Sequence, residues 1–507
     1  MIDKLSQVWE DASRSLTGRP EQGGTGSLAA IAAYSLTFLL GAAIWVYILD
    51  LGRIPFDLHD WAEGTGHRLA FLQNAVMEWR LPLHMPDGSA LRNVTDRFIS
   101  TPDVILSPQI LALRVLSLGH FVLFNTLLLY AAGFVGMLRL ARRLSWSPLV
   151  FVVVFLLFSL NGHIVDHIVV GHMHWAGYFL LPFFFESILH LLEGPNVWRW
   201  SLGFALILFA IFLQGAYHLF VMCLMFMAAL TVGQRRLWRY GLIGGFSSLL
   251  VSAVRILPPA LEYGKFDSEF LSGFVSVGHV WQALTDLRAP RPELVFSQTP
   301  LTTLGWWEFD HYVGWIGLAF LLGFGLVGWL RSEPAERLPP ALAIPAFIMF
   351  FLSIGQTFEP INRMGIPLIS SQRVATRFVI FTILTLLLAS GTHFQALLSR
   401  RKIGNTQFLG VLGLVALLAQ DLWQHVKLWR VQRMPELFPN RGIDLSGEFI
   451  ANHPDPAYGA ALVLGLSIGA LTLAALAWRA RRAAQDSPST GMAPQLSPTN
   501  DGGDVSH

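Results

Sequence analysis

Cysteine is almost missing from this 507-residue chain, where Cys223 stands alone. A lone cysteine excludes an intrachain disulfide and any cysteine-based metal site. Lying in the apolar stretch 219–230, it reads as an inert buried thiol. Charge is scarce as well: 13% of the residues are Asp, Glu, Lys or Arg, and the formal net charge is +2. Such a balance, split into short basic clusters at the ends of apolar runs, excludes a nucleic-acid surface. What fills the chain instead is apolar: 53% hydrophobic residues and a mean hydropathy of +0.51. No soluble domain of this length carries that on its surface, so the composition defines a polytopic membrane protein.

About a dozen apolar runs are candidate spans: 28–51, 112–138, 148–160, 176–192, 202–213, 219–232, 242–257, 312–330, 341–354, 378–395, 408–420 and 458–478. The expected fold is therefore all-α, a bundle of about 12 transmembrane helices, some of them short enough to be broken or tilted. With the N-terminus placed inside, alternate connections carry Arg139-Leu140-Ala141-Arg142-Arg143, Arg199, Arg235-Arg236, Arg331, Arg400-Arg401-Lys402 and Arg479-Ala480-Arg481-Arg482, all on the inner side. Both termini are then cytoplasmic. Residues 1–27 form an inner N-terminal segment, 28–478 the membrane domain, and 479–507 an inner tail rich in Ser, Pro, Gly and Asp that should be disordered. The loops 52–110, 161–175, 258–311, 355–377 and 421–457 fall outside. In the first of them Phe71, Leu72, Ala75, Val76 and Trp79 mark an amphipathic interfacial helix over 70–79, followed by turns at Pro82, Pro86 and Gly88.

The chemistry-bearing residues gather in these outer loops. Asp57-Leu58-His59-Asp60 follows the first span, where a half-desolvated carboxylate acts as a general base or else caps the next helix. Asn161-Gly162-His163-Ile164-Val165-Asp166-His167 and Gly171-His172-Met173-His174 offer His163, Asp166 and His167 as ligands for a divalent metal. Alternatively, His172 and His174 serve as substrate contacts, or the whole stretch is a solvated interfacial helix. Glu308 and Asp310 precede a span. Arg373 and Arg377, four apart, read as a phosphate clamp or an interfacial anchor. Within the spans, Glu186 and His190 lie one turn apart as a structural pair or a proton relay, and Arg255 either holds a lipid phosphate or snorkels to the interface.

These stretches, from Phe56 to Gly391, resemble the glycosyltransferase C (GT-C) superfamily of polytopic enzymes. The shared features are the acids of the first outer loop, Gly171-His172 followed by Leu181-Pro182, the Glu308 to Gly314 stretch and the Arg373 to Phe378 stretch, which are similar to those of bacterial YfhO-like proteins. The resemblance implies a multi-pass protein of a bacterial inner membrane. It would move a sugar from a polyprenyl-phosphate or pyrophosphate carrier to a glycan, lipid or protein acceptor at the outer face, with membrane lipids and no nucleic acid as partners. It implies Asp60 or Asp57 as base, with His59, His172, His174, Glu308, Arg373, Arg377 and Arg255 toward substrate; whether a metal is needed stays open. The D-x-x-D spacing and the small C-terminal loop depart from the superfamily pattern. Other readings are a transporter or flippase working through Glu186, His190 and Arg255, and a non-catalytic envelope-assembly subunit.

Overall fold

The computed structural model describes residues 11, 13–18, 28–81, 104–261, 270–289, 304–331, 338–366, 368–400, 404–442, 454 and 456–485. Among them the chain is all-helical, with isolated bridges and no strand. Eight helices are long and apolar enough to cross a membrane: Leu28–Ile48, Leu118–Arg143, Pro148–Val169, Met173–Leu192, Gly314–Arg331, Ala375–Arg400, Asn405–Leu437 and Pro456–Gln485. The pair Arg235–Val251 and Ala253–Ala260, bent by 64°, would make a ninth. Val197–Leu213, Tyr217–Val232 and Pro340–Leu352 are apolar but shorter, below the ~20 residues that span hydrocarbon unaided.

Two of the long helices form the centre. The apolar windows of Pro148–Val169 and Ala375–Arg400 are 89% and 83% buried, against 22%, 17% and 28% for the first and last two candidates. Those outer helices turn Leu36, Leu39, Leu40, Leu414, Leu417 and Leu471 outward, as a lipid-facing surface requires. Aromatic rings fill the space around the centre: Phe134, Phe151, Phe155 and Phe158 meet one another and then Tyr130, Tyr178 and Phe179 at centroid distances of 4.8–6.1 Å. Pro148 opens its helix at a position where the missing N–H costs nothing, and Asn161 and Asn196 cap theirs by accepting backbone amides.

Two loop expectations need correction. The stretch 161–175 is not open loop: Gly162–Val169 is helical, fully buried and continues the central span, because Asn161 caps it and nothing before Gly171 breaks it. Likewise 421–457 begins inside a helix that runs to Leu428, since no Gly or Pro interrupts 414–428. The last helix also runs past 478 to Gln485; the turns expected over 82–88 and the tail beyond 485 lie outside the described residues. The first-loop helix spans Gly66–Met77 and buries Leu69, Phe71, Leu72, Ala75 and Val76. Gln73 Nε2 ties it to the carbonyls of Leu113 and Leu116 at 3.0 Å, and the Arg114 guanidinium covers the Trp79 ring at 4.3 Å.

Pro456–Gln485 is held through small residues. A Cβ on Gly465 would lie 2.5 Å from the Val254 Cα, and one on Gly469 3.0 Å from the Val251 carbonyl, the close approach that glycines four apart permit between apolar helices. Gly465→Leu should lower the melting midpoint in detergent by the equivalent of about 1–3 kcal/mol. Gly459→Leu, whose Cβ would meet nothing within 4 Å, should leave it unchanged. Matching melts for the two variants would show that this seam does not hold the helix.

Candidate functional site

The first loop is delivered to the central helices by backbone geometry. His59 has φ +46°, and Trp61–Thr65 forms one turn of π-helix, a local distortion common where side chains are aimed at a site. Three bonds fasten this turn to the end of Gly162–Val169: Trp61 Nε1 donates to the Val169 carbonyl (2.8 Å), His59 Nδ1 to that of Val170 (3.2 Å) and Thr65 Oγ1 to that of Gly171 (2.6 Å). Gly171 has φ +109°, and a Cβ there would lie 2.6 Å from the Trp61 nitrogen, so only glycine lets the two backbones approach.

That approach places Asp60 on His172. The imidazole Nε2–H donates to Asp60 Oδ2 at 2.5 Å, and His172 Nδ1 accepts from His167 Nδ1–H at 2.9 Å, the tautomers following from this chain of donors and acceptors. Asp60 is the most exposed member, with its side chain 25% exposed against 14% for His172. His167 is fully buried, its ring stacked 4.7 Å from Trp175. His218 also stacks on Trp175, at 5.9 Å, with its Nδ1–H on Gln372 Oε1 at 2.9 Å.

Arg377 lies beside the same layer, 5.2 Å from the Trp175 ring. It donates through Nε and Nη2 to the two carboxylate oxygens of Glu308, at 2.9 and 2.7 Å, and through Nη1 to His218 Nε2 at 3.4 Å. Both ions are buried, so the bidentate geometry is what makes their desolvation tolerable. Thr376 Oγ1 donates to the Glu308 carbonyl. The Trp306 to Val313 stretch that carries Glu308 is cradled by the helix Val277–Thr285, whose Ala283 and Leu284 carbonyls accept from the amides of His311 and Val313, each at 3.0 Å.

The sequence candidates divide by geometry. Asp60, His167, His172, Glu308 and Arg377 converge. His174 adjoins them, lining with Thr65, Arg68, Leu69, Leu72, Val104 and Met173 a narrow cleft beside the Asp60 turn. His59 packs its ring edge-on to Trp307 at 4.5 Å. Asp57 faces the other way, accepting from Asn440 Nδ2 and, through its carbonyl, from the Arg441 amide. Arg373 stands nearer His218, its carbonyl taken by the Leu271 amide. Arg255 is buried over the Phe212 ring, 5.8 Å away.

The trio His163, Asp166 and His167 does not converge on one point. Asp166 and His167 are ~100° apart around a helix, so His167 joins His172 and Glu308, His163 stacks on His311 at 4.9 Å, and Asp166 turns toward Asp310 and His425. Two groups thus have donor atoms close enough to share an ion: His167, His172 and Glu308, and separately Asp166, Asp310 and His425. Glu186 and His190 do not pair either; Arg139 grips Glu186 at 2.7 and 3.0 Å, and His190 meets Glu193 at 3.1 Å. Sequence reasoning missed His218, His311, Asp421 and His425. The i, i+4 spacing of Asp421 and His425 was the available signal, hidden by reading those residues as loop.

The fold and this cluster define a polytopic, all-helical membrane protein with an ionisable group buried at one end of its central helices. The chain matches no family model, no curated protein and no solved structure.

Burial pushes the His279 imidazole down to about 4, with Arg288 adding to the shift and Asp286 opposing it; burial likewise holds His311 down at about 4. The folded state thus keeps His279 neutral where the unfolded chain takes up a proton near pH 6.5. The stability is complete above about pH 6.5 and is lost as pH falls toward 4. Between pH 8 and pH 5 this one group should remove about 2 kcal/mol. Thermal melts of wild type and His279→Gln at both pH values measure it, and the variant should lose correspondingly less on acidification.

Proposed function

We propose that the protein is a membrane glycosyltransferase of the GT-C kind, moving a sugar from a polyprenyl-phosphate carrier to an acceptor hydroxyl at the outer face of a bacterial inner membrane. In this reading both termini are cytoplasmic, and the shorter apolar helices complete about twelve crossings. One observation carries it: Asp60 is a partly exposed carboxylate held by His172 at the mouth of a buried polar cluster. Such a group is accessible to a substrate hydroxyl on one side and fixed in orientation on the other.

The chemistry is a single displacement. The acceptor oxygen attacks the anomeric carbon, its proton passes to the Asp60 carboxylate, and the bond from carbon to carrier oxygen breaks with the electron pair leaving on the phosphate. His172 keeps the carboxylate aimed. Arg377 is paired with Glu308 and positions the site, and Arg68, which lines the cleft beside the Asp60 turn, is the cation assigned to the leaving phosphate, with Arg373 a second. His167, His172 and Glu308 bring donor atoms together, but both His172 nitrogens are engaged by His167 and Asp60 and both Glu308 oxygens by Arg377, so in this reading the group acts as a hydrogen-bonded network that holds Asp60. Asp57, engaged by the 440–441 segment, is not the base.

The test is release of carrier lipid from a polyprenyl-phosphate sugar by purified protein in nanodiscs. Asp60→Asn should reduce turnover at least about 100-fold with an unchanged yield of folded protein, and Asp57→Asn should keep most of it. Full activity in Asp60→Asn would remove Asp60 as base. Saturable binding of the lipid by wild type without turnover would remove the transferase reading altogether.

A further inference from the structure

A second polar group lies in the same end of the bundle, and the chemistry above does not use it. Asp166 comes from Gly162–Val169, Asp310 from the stretch before Gly314, and His425 from Asn405–Leu428; all three side chains are fully buried. His425 Nε2 lies 3.4 Å from Asp166 Oδ1 and 3.2 Å from Asp310 Oδ2. Asp310 Oδ1 accepts from the Tyr312 amide at 2.8 Å, and the Asp166 side chain lies within hydrogen-bond reach of the Asp310 carboxylate.

Charge alone makes this arrangement incomplete. Two carboxylates face one imidazole, so a protonated His425 balances only one of them, and the second needs either a proton shared between Asp166 and Asp310 or a bound cation. Distance says what would complete it. An ion bound tetrahedrally at ~2.0–2.1 Å holds its ligand atoms ~3.4 Å apart, and the imidazole already stands 3.2 and 3.4 Å from the two carboxylate oxygens. Two carboxylate oxygens and one imidazole nitrogen, all within 4.8 Å of one another, suit zinc or manganese.

The surroundings fix two of the three ligands, Asp310 and His425. A Cβ on Gly162 would lie 2.1 Å from Asp310 Oδ1, so the glycine leaves room for that carboxylate. The Tyr312 ring stacks on His425 at 4.7 Å with an 8° tilt, and its hydroxyl donates to Asp421 Oδ1 at 2.6 Å. Gly314, at φ +71°, lets Asp421 approach where a Cβ would meet Oδ2 at 1.9 Å. We infer that Asp166, Asp310 and His425 bind one divalent transition-metal ion, which ties three segments far apart in the sequence beneath the Asp60 cluster. The site is independent of the proposed transfer reaction, and its three protein ligands leave a fourth position for water.

Elemental analysis of full-length protein, purified in detergent with chelator-washed buffers and offered zinc or manganese alone, tests it. Wild type and His172→Ala should each retain about one ion per chain, while His425→Gln and Asp166→Asn should retain under about a tenth of that. X-ray absorption on wild type, which needs no variant to fold, should show one imidazole per ion; two would assign the ion to His167 and His172 instead and overturn the inference. Wild type that takes up neither metal would also overturn it, leaving a shared proton to balance the carboxylates. A full equivalent in folded His425→Gln would do the same.

Discussion

A guanidinium sealed inside an apolar bundle needs a counter-charge, and the pairing of Arg377 with Glu308 is the constraint on which this end of the protein depends. Arg377 begins the central helix Ala375–Arg400, and Glu308 sits in a connection nearly seventy residues earlier, so the pair fixes where that connection runs. Breaking one partner of such a pair leaves a buried ion uncompensated, at about 3–5 kcal/mol. The aromatic layer follows from it: with Arg377 against Trp175 and His218, the indole stacks with two imidazoles, and His167 is thereby set to donate to His172.

The first loop reaches this layer because glycine permits it. Gly171 gives the backbone of 60–61 room to close on the His172 turn, and Gly162 does the same for Asp310 on the other side of the same short helix. A helix of eight residues, Gly162–Val169, therefore serves two polar groups, presenting His167 to one and Asp166 to the other. Its complete burial means that His163, Asp166 and His167 all meet partners inside the protein rather than water.

Much of the candidate site was legible in the chain. Asp60, His172, Glu308 and Arg377 stood out because ionisable residues are expensive next to apolar runs and so carry information there. Their grouping was not legible, since it joins positions more than a hundred residues apart through stacking and turn geometry. The same limit explains the pairings that failed: Glu186 and His190 share a helix face, yet Arg139 from a neighbouring helix reaches Glu186 with a bidentate fork that no local spacing reveals.

Composition and hydropathy pointed to the class, an all-helical membrane protein, because apolar runs of span length repeated along the chain suit lipid, where only internally hydrogen-bonded helices leave no backbone group unpaired. The apolar runs located the helices, and Asn161 and Pro148 marked where two of them start. Only the tertiary structure decided which acid meets a histidine, how one helix splits its ligands between two groups, and that Asp421 and His425 belong inside. Those outcomes depend on helix rotation and on backbone contact at Gly162, Gly171 and Gly314, which packing sets and periodicity does not record.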